Sequence, residues 1–199
     1  MAKEKIEKTE KKRVILVTDG DKIARQAVEK AAKVNGCRCI SASAGNPTPL
    51  TGEQVVAYIN ATPSDPVVVM VDDRGVLGKG KGEKVMEYLI KHPTIKVIGV
   101  VAVASNTENA HGASVDSVIT KGQEVTKGQV DKEGNLISNE EIIRGDTVDN
   151  LNQYRRLIPY VIGVGDIGKM DNSDKIEDGA KITTKAIKQI IENWQRREN

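Results

Sequence analysis

Four short apolar runs stand out along the chain, and each is nearly uninterrupted and rich in β-branched residues. They cover residues 14–17, 67–71, 95–104 and 160–164. Strands buried on both faces of a sheet have this composition, because neither face meets water. Segments with helical periodicity lie between the runs. The alternation of strand and helix predicts a parallel sheet whose strands are joined by right-handed crossovers.

Helical periodicity is clearest in four segments, residues 22–34, 51–61, 83–91 and 183–197. The expected inward face of the first segment comprises Ile23, Ala27, Ala31 and Val34. The second segment begins with a capping box, in which Thr51 is the N-cap residue and Gln54 the third helical residue. These patterns predict helices that cover the two faces of the sheet.

The region between about residues 115 and 143 has a different character. Glycines punctuate it at Gly122 and Gly134, beside charged and amide side chains. This pattern predicts a small β-hairpin excursion from the main sheet. The predicted fold is therefore α/β, with three layers and a mostly parallel open sheet of the Rossmann-like or Toprim-like kind.

Length and charge bound the organisation of the chain. The 199 residues, 38% of them hydrophobic, suit one core, so we expect a flexible charged tail at residues 1–12 and a single α/β domain at residues 13–199. The 30 Lys and Arg nearly balance the 28 Asp and Glu, and aromatic residues make up 3%. Neither value favours a nucleic-acid partner. The apolar stretches are too short to predict a signal peptide or a transmembrane segment.

Carboxylates follow two of the apolar runs directly. Asp19 and Asp21 come after the first run, and Asp72 and Asp73 after the second. Parallel strands end at one edge of a sheet, where open α/β folds bind ligands, so these acids are candidate metal ligands. A cluster of oxygen ligands suits Mg²⁺ or Ca²⁺ better than zinc. The alternative for Asp21 is that it caps the helix that follows.

Other polar residues are expected at the same edge. They are Asn46, Ser105, Asn106, Asp166 and Lys169. They belong to loops that precede a helix or follow an apolar run, and we predict that they contribute to a ligand site there. No pattern of nucleophile and base is visible, so no catalytic residue is predicted.

A glycine-rich loop over residues 75–82 resembles a phosphate-binding loop. It lies between a predicted strand and a predicted helix, as such loops do, but Gly82 stands where the pattern requires Ser or Thr. We therefore predict a loop that binds an anion without being a true nucleotide site. Its candidate residues are Gly78, Lys79, Gly80, Lys81 and Gly82.

Several longer strings resemble the soluble form of the stage V sporulation protein AE family of spore-forming bacteria. They are VILVTDGD (14–21), SAGNPTPLTGE (43–53), PVVVMVDDRGVLGKGKGE (66–83), VAVASNT (101–107), GDTVDNL (145–151) and IGVGDIGKMD (162–171). The resemblance extends over nearly the whole chain apart from the basic tail.

This resemblance implies a function in the spore. The expected function is that of a soluble accessory protein of the inner-membrane machinery that moves calcium and dipicolinic acid and that acts in germination. The resemblance implies peripheral attachment beside integral membrane partners, with calcium dipicolinate as a candidate ligand. It supplies no reaction, so we expect binding rather than catalysis.

Two other functions compete with this one. The first is a ligand- or metal-sensing module. The second is metal-dependent phosphoryl transfer, because acids at two strand ends are similar to the Toprim pattern of primases and topoisomerases. That pattern requires a Glu after the first strand and a later Asp-x-Asp, whereas this chain has Asp19 and the adjacent pair Asp72 and Asp73.

Overall fold

A computed structural model describes residues 10–74, 80–105, 112–145, 147–148 and 150–199. Its strands are β1 (Lys12–Val17), β2 (Arg38–Cys39), β3 (Val67–Met70), β4 (Ile95–Val103), β5 (Ala113–Ser114), β6 (Ser117–Ile119), β7 (Val125–Thr126), β8 (Gln129–Val130), β9 (Leu136–Ser138), β10 (Ile142–Ile143) and β11 (Val161–Val164). Its α-helices are α1 (Lys22–Val34), α2 (Gly52–Ala61), α3 (Lys81–Lys91), α4 (Leu151–Tyr154) and α5 (Lys181–Glu198). Most of the predicted tail lies outside the described residues, and β1 begins at Lys12.

The main sheet contains seven strands in the order β2-β3-β1-β4-β11-β6-β7. Neighbouring strands pair in parallel, except that β7 runs antiparallel to β6 at the edge. The predicted α/β class with a mostly parallel sheet is confirmed. The predicted excursion is more elaborate than one hairpin: β8 pairs with β9, β5 pairs with β10, and β6 and β7 extend the main sheet.

The two faces of the sheet bury separate apolar clusters. Val14 and Leu16 of β1 belong to one cluster, and the intervening Ile15 and Val17 belong to the other. Helices α2 and α3 pack on the first face, and α1 and α5 on the second. Each apolar side chain that is fully buried stabilises the fold by roughly 1.5–3 kcal/mol. Because the central strands are buried on both faces, apolar side chains are favoured at consecutive positions, which explains the uninterrupted apolar runs.

Helix α1 has the predicted limits, but the prediction of its inward face was wrong at both ends. Ile23 and Val34 are 40% and 59% exposed. The buried positions are instead Ala24, Ala27, Val28, Ala31 and Ala32. Small alanines let the helix approach the sheet closely. Ile23 packs against the loop after β11, where a Cβ on Gly168 would lie 2.8 Å from its Cγ2 atom.

The starts of α2 and α5 show two different capping arrangements. In α2 the predicted capping box is confirmed, since Thr51 Oγ1 accepts from the N–H of Gln54 and Gln54 Oε1 accepts from the N–H of Thr51. In α5 the acceptor lies outside the helix. The fully buried carboxylate of Asp174 accepts from the N–H groups of Ile182 and Thr183.

Among the described residues, none of the helices combines the length and the apolar character needed to cross a membrane.

Candidate functional site

A polar cavity opens at the carboxyl edge of the main sheet, the edge at which its parallel strands end. Its volume is about 230 Å³, below the roughly 300–1,000 Å³ typical of sites for drug-sized ligands. The residues that line it are Thr18, Asp19, Asn46, Asp72, Val103, Ala104, Ser105, Lys132 and Asp166. The cavity therefore suits a small polar ligand.

Strand order explains why the cavity lies at this point. Strands β1 and β4 are parallel neighbours. From β1 the chain passes to β2 on one side of this pair, and from β4 it continues to β6, the next strand of the main sheet, on the other side. Connections that leave adjacent strands in opposite directions create a crevice outside the strand ends, which is the usual ligand position in open α/β folds.

Asp19 is the cavity carboxylate with the weakest hydrogen bonding that we observe. It is partly buried, and its Oδ1 atom accepts from the N–H of Asp21 at 3.2 Å. Burial and the neighbouring charge of Asp21 raise the pKa of Asp19 from its ordinary 3.8 to about 7, with further contributions from Asp72 and Asp166. Asp19 can therefore exchange a proton near neutral pH.

Asp21 is held by the helix start and by Lys169. Its Oδ1 atom accepts from the N–H groups of Ile23 and Ala24 at 2.7 and 2.8 Å, so it caps α1 as the alternative interpretation proposed. Burial alone would raise the pKa of Asp21, but the N–H of Ala24 and the ammonium of Lys169 hold it below the ordinary value.

Lys169 joins two loops of the carboxyl edge. Its Nζ atom donates to Asp21 at 2.9 Å and to both carboxylate oxygens of Asp166 at 3.1 Å. Burial lowers the pKa of Lys169, but the two carboxylates raise it more, and the net shift is upward. Lys169 thus neutralises Asp166, which lines the cavity, and Asp21, which does not, although Lys169 is not itself a lining residue.

Asp72 connects three loops around the cavity. Its Oδ2 atom accepts from the N–H of Gly20 at 3.1 Å, and its Oδ1 atom accepts from the N–H of Arg74 at 3.0 Å. Its own N–H donates to Thr48 Oγ1, and its carbonyl oxygen accepts from the N–H of Thr48. Asp72 therefore has a structural role in addition to lining the cavity.

Asp73 caps α3 from outside the helix. Its Oδ1 atom accepts from the N–H of Gly82 at 2.6 Å, and its Oδ2 atom accepts from the N–H of Glu83 at 2.9 Å. The side chain is 2% exposed and does not line the cavity. The favourable end of the helix dipole is thus used by a carboxylate of the chain itself.

The contact between Asp73 and the start of α3 explains the two glycines of the predicted anion-binding loop that lie within the described residues, Gly80 and Gly82. A Cβ on Gly80 would lie 2.1 Å from Asp73 Oδ1, and a Cβ on Gly82 would lie 2.6 Å from the backbone nitrogen of Asp72. A side chain at position 82 therefore has no room. Lys81 is exposed at the first turn of α3, and Gly78 and Lys79 lie outside the described residues.

The structure brings together part of the predicted set. Asp19, Asp72, Asn46, Ser105 and Asp166 line one cavity. Asp21, Asp73 and Lys169 lie around it in the contacts given above, and Asn106 lies outside the described residues. Within the described ranges, no group of three or more His, Cys, Asp or Glu residues is arranged to hold a metal ion. The cation site remains a prediction.

Sequence reasoning missed two polar cavity residues, Thr18 and Lys132. Thr18 was overlooked because it ends an apolar run. Its Oγ1 atom accepts from the N–H of Val103 and so joins β1 to β4. Lys132 was overlooked because it lies in a hairpin more than a hundred residues from Asp19, and no local signal indicates that the hairpin reaches the carboxyl edge.

Comparison with known proteins places the chain in a family. The sequence model of the SpoVAE family, described as stage V sporulation protein AE1, matches residues 13–194. No curated protein and no solved structure was found to match.

We expect Asp73→Asn to destabilise the protein by about 1–3 kcal/mol. An amide has only one oxygen for two buried N–H groups, and it turns its own NH₂ group toward the second. Urea unfolding measures this difference. Asp171→Asn is the matched control, because Asp171 is exposed and its ion pair within the described residues is with Lys121 at 3.2 Å. The loss of this surface pair should change the stability by about 0.5 kcal/mol or less. Equal stabilities of the two variants would contradict the capping role of Asp73.

We expect Asp19→Asn to change how stability depends on pH. The raised pKa means that the folded protein binds a proton that the unfolded chain releases, so the contribution of Asp19 to stability is present at acid pH and is lost as pH rises through about 7. The amide removes this loss and can still accept from Asp21. The melting temperature of the variant should exceed that of the parent at pH 8, and the difference should shrink toward pH 4. Parallel pH profiles would contradict the assignment.

Proposed function

Because the chain belongs to the family of stage V sporulation protein AE1, and so has a role in sporulation, we propose that it is an accessory protein of the spore inner-membrane machinery that moves calcium dipicolinate. In this proposal it acts in germination by binding, as a peripheral component beside integral membrane proteins. Its ligand is calcium dipicolinate, the complex of Ca²⁺ with a pyridine dicarboxylate.

The observation on which this proposal depends is the mixed charge of the cavity. Asp19, Asp72 and Asp166 are acidic lining residues, and Lys132 is a basic one. Ca²⁺ prefers oxygen ligands, which the carboxylates and the side-chain oxygens of Asn46 and Ser105 would offer. A dicarboxylate would in turn find a cationic side chain. A ligand that contains both a cation and carboxylates fits this lining better than either part alone.

The hydrogen bonding of the acids favours binding over catalysis. Asp21 and Asp73 cap helices, and Asp72 orders the loops around Gly20 and Arg74. Carboxylates with such roles hold a site in a fixed shape. A preformed polar cavity of this kind lowers the cost of ordering the site when a ligand binds.

One observation favours the second candidate, metal-dependent phosphoryl transfer of the Toprim-like kind. The raised pKa of Asp19, about 7, would let this carboxyl group act as a general acid or base near neutral pH. In that case Asp19 would exchange a proton with the substrate, while Asp72 would help to hold a Mg²⁺ or Ca²⁺ ion. The binding function and this activity make different predictions.

We expect isothermal titration of the full chain to detect binding of calcium dipicolinate. Asp19→Asn should weaken it about tenfold or more, because it removes a charge from the cavity, whereas the exposed control Asp171→Asn should bind like the parent. A parallel activity assay measures hydrolysis of a generic phosphodiester by the same proteins with Mn²⁺. Turnover that Asp19→Asn abolishes, without binding of calcium dipicolinate, would replace this proposal with the phosphoryl-transfer candidate.

We also expect the full chain to sediment with spore inner membranes. Ionic contacts with lipid are strongly screened at about 1 M salt, so attachment through lipid charge alone should be lost there. Attachment through integral membrane partners should survive the same salt concentration. Vesicles made from the extracted lipids alone are the control and should not retain the protein. Release by salt, or equal retention on the lipid vesicles, would contradict attachment through membrane proteins.

A further inference from the structure

Lys132 reaches the cavity from a separate part of the chain, the hairpin formed by β8 and β9. Its carbonyl oxygen accepts from the N–H of Asp166 at 2.7 Å, which joins the hairpin to the loop after β11. On the other side of the hairpin, the carbonyl oxygen of Gly134 accepts from the N–H of Lys121 at 2.7 Å. The backbone of Lys132 is therefore held against the carboxyl edge from two sides.

Hydrogen bonds within the hairpin also fix its turn. The N–H of Asp131 donates to the carbonyl oxygen of Asn135, and Asp131 Oδ1 accepts from the N–H of Asn135. The carbonyl oxygen of Asp131 accepts from the N–H of Gly134. Gly165 allows the turn to approach, because a Cβ there would lie 2.6 Å from the carbonyl oxygen of Lys132. The position of Lys132 is thus set by the backbone and not by its side chain.

The charge of Lys132 is not used by the fold in the way that the charge of Lys169 is. Lys169 makes short hydrogen bonds to Asp21 and Asp166. The carboxylate paired with Lys132 is that of Glu133, at 3.7 Å, and the two side chains are 42% and 39% exposed. Such a surface pair contributes little to stability. Among the described residues that line the cavity, Lys132 is the one basic residue.

We propose that Lys132 is the specificity-determining residue of the cavity and binds the anionic part of a ligand whose cationic part lies against Asp19 and Asp72. This inference rests on the proposed function and identifies the group that recognises the carboxylates. A bare divalent cation is attracted by the carboxylates but repelled by the ammonium of Lys132. A metal ion that brings its own carboxylate ligands meets complementary charge on both sides, so the cavity selects the complex over the free ion.

The test compares Lys132→Met with the parent by isothermal titration at pH 8, where Asp19 is ionised. Methionine keeps an unbranched side chain and removes the charge. Each protein is titrated with calcium dipicolinate, with CaCl₂ and with sodium dipicolinate. The matched control is Lys127→Met, since Lys127 pairs with Glu141 on the surface and does not line the cavity. Thermal melts check that both variants fold.

We expect Lys132→Met to weaken binding of calcium dipicolinate about tenfold or more and to leave binding of CaCl₂ unchanged or tighter. Lys127→Met should match the parent with all three titrants. Gly165→Ala, which keeps the lysine but displaces its backbone, should also weaken binding of the complex. If Gly165→Ala does not fold, the comparison of the two lysine variants decides.

Three results would overturn the inference in distinguishable ways. If the parent binds calcium dipicolinate and Lys132→Met binds it equally well, the role of Lys132 is wrong and the proposed function stands. If Lys132→Met weakens the complex and CaCl₂ by the same factor, the lysine supports the shape of the cavity and does not select the anion. If the parent does not bind calcium dipicolinate, both the inference and the proposed function fail.

Discussion

Each helix that follows a parallel strand needs hydrogen-bond acceptors at its start, and this requirement shapes the carboxyl edge of the protein. The first turn of a helix has free N–H groups and the positive end of the helix dipole. In α1, α3 and α5 these groups are bound by the carboxylates of Asp21, Asp73 and Asp174. Each carboxylate accepts from two consecutive N–H groups. Many acids near this edge are therefore parts of the fold.

Asp19 differs from these helix-capping acids. Asp19 lies among the same loops, but the one N–H bond that we observe to it is long, and burial together with nearby acids raises its pKa. Lys169 neutralises Asp21 and Asp166, and backbone N–H groups stabilise Asp72, so the electrostatic cost is concentrated on Asp19. Of these acids, Asp19 would gain most from a nearby positive charge. In the proposed function, the stability of this edge and its binding of a ligand are thus connected.

The start of α3 shows how similar sequence patterns can serve different purposes. Glycines before a helix suggest a phosphate-binding loop, because glycine lets an anion approach backbone N–H groups. Here the absence of a side chain at Gly80 leaves room for the carboxylate of Asp73, which accepts from the N–H of Gly82. The absence of a side chain at Gly82 leaves room for the backbone of Asp72. At position 82, the Ser or Thr that a nucleotide-binding loop requires would collide with the backbone of Asp72. The departure from the phosphate pattern therefore has a steric cause.

The features that could be predicted from the sequence alone are those that depend on neighbouring residues in the chain. The apolar runs of β1 and β3, the limits of α1 and the capping box at Thr51 are local, because strand and helix periodicity and helix capping act over a few residues. The tertiary fold set which strands are neighbours and hence where the cavity lies. It also brought Asp73 to Gly82, Lys169 to Asp21, and Lys132 to the loop after β11. These contacts depend on strand order and on the path of a hairpin, which pair residues that are distant in the chain and leave no periodic signal in it.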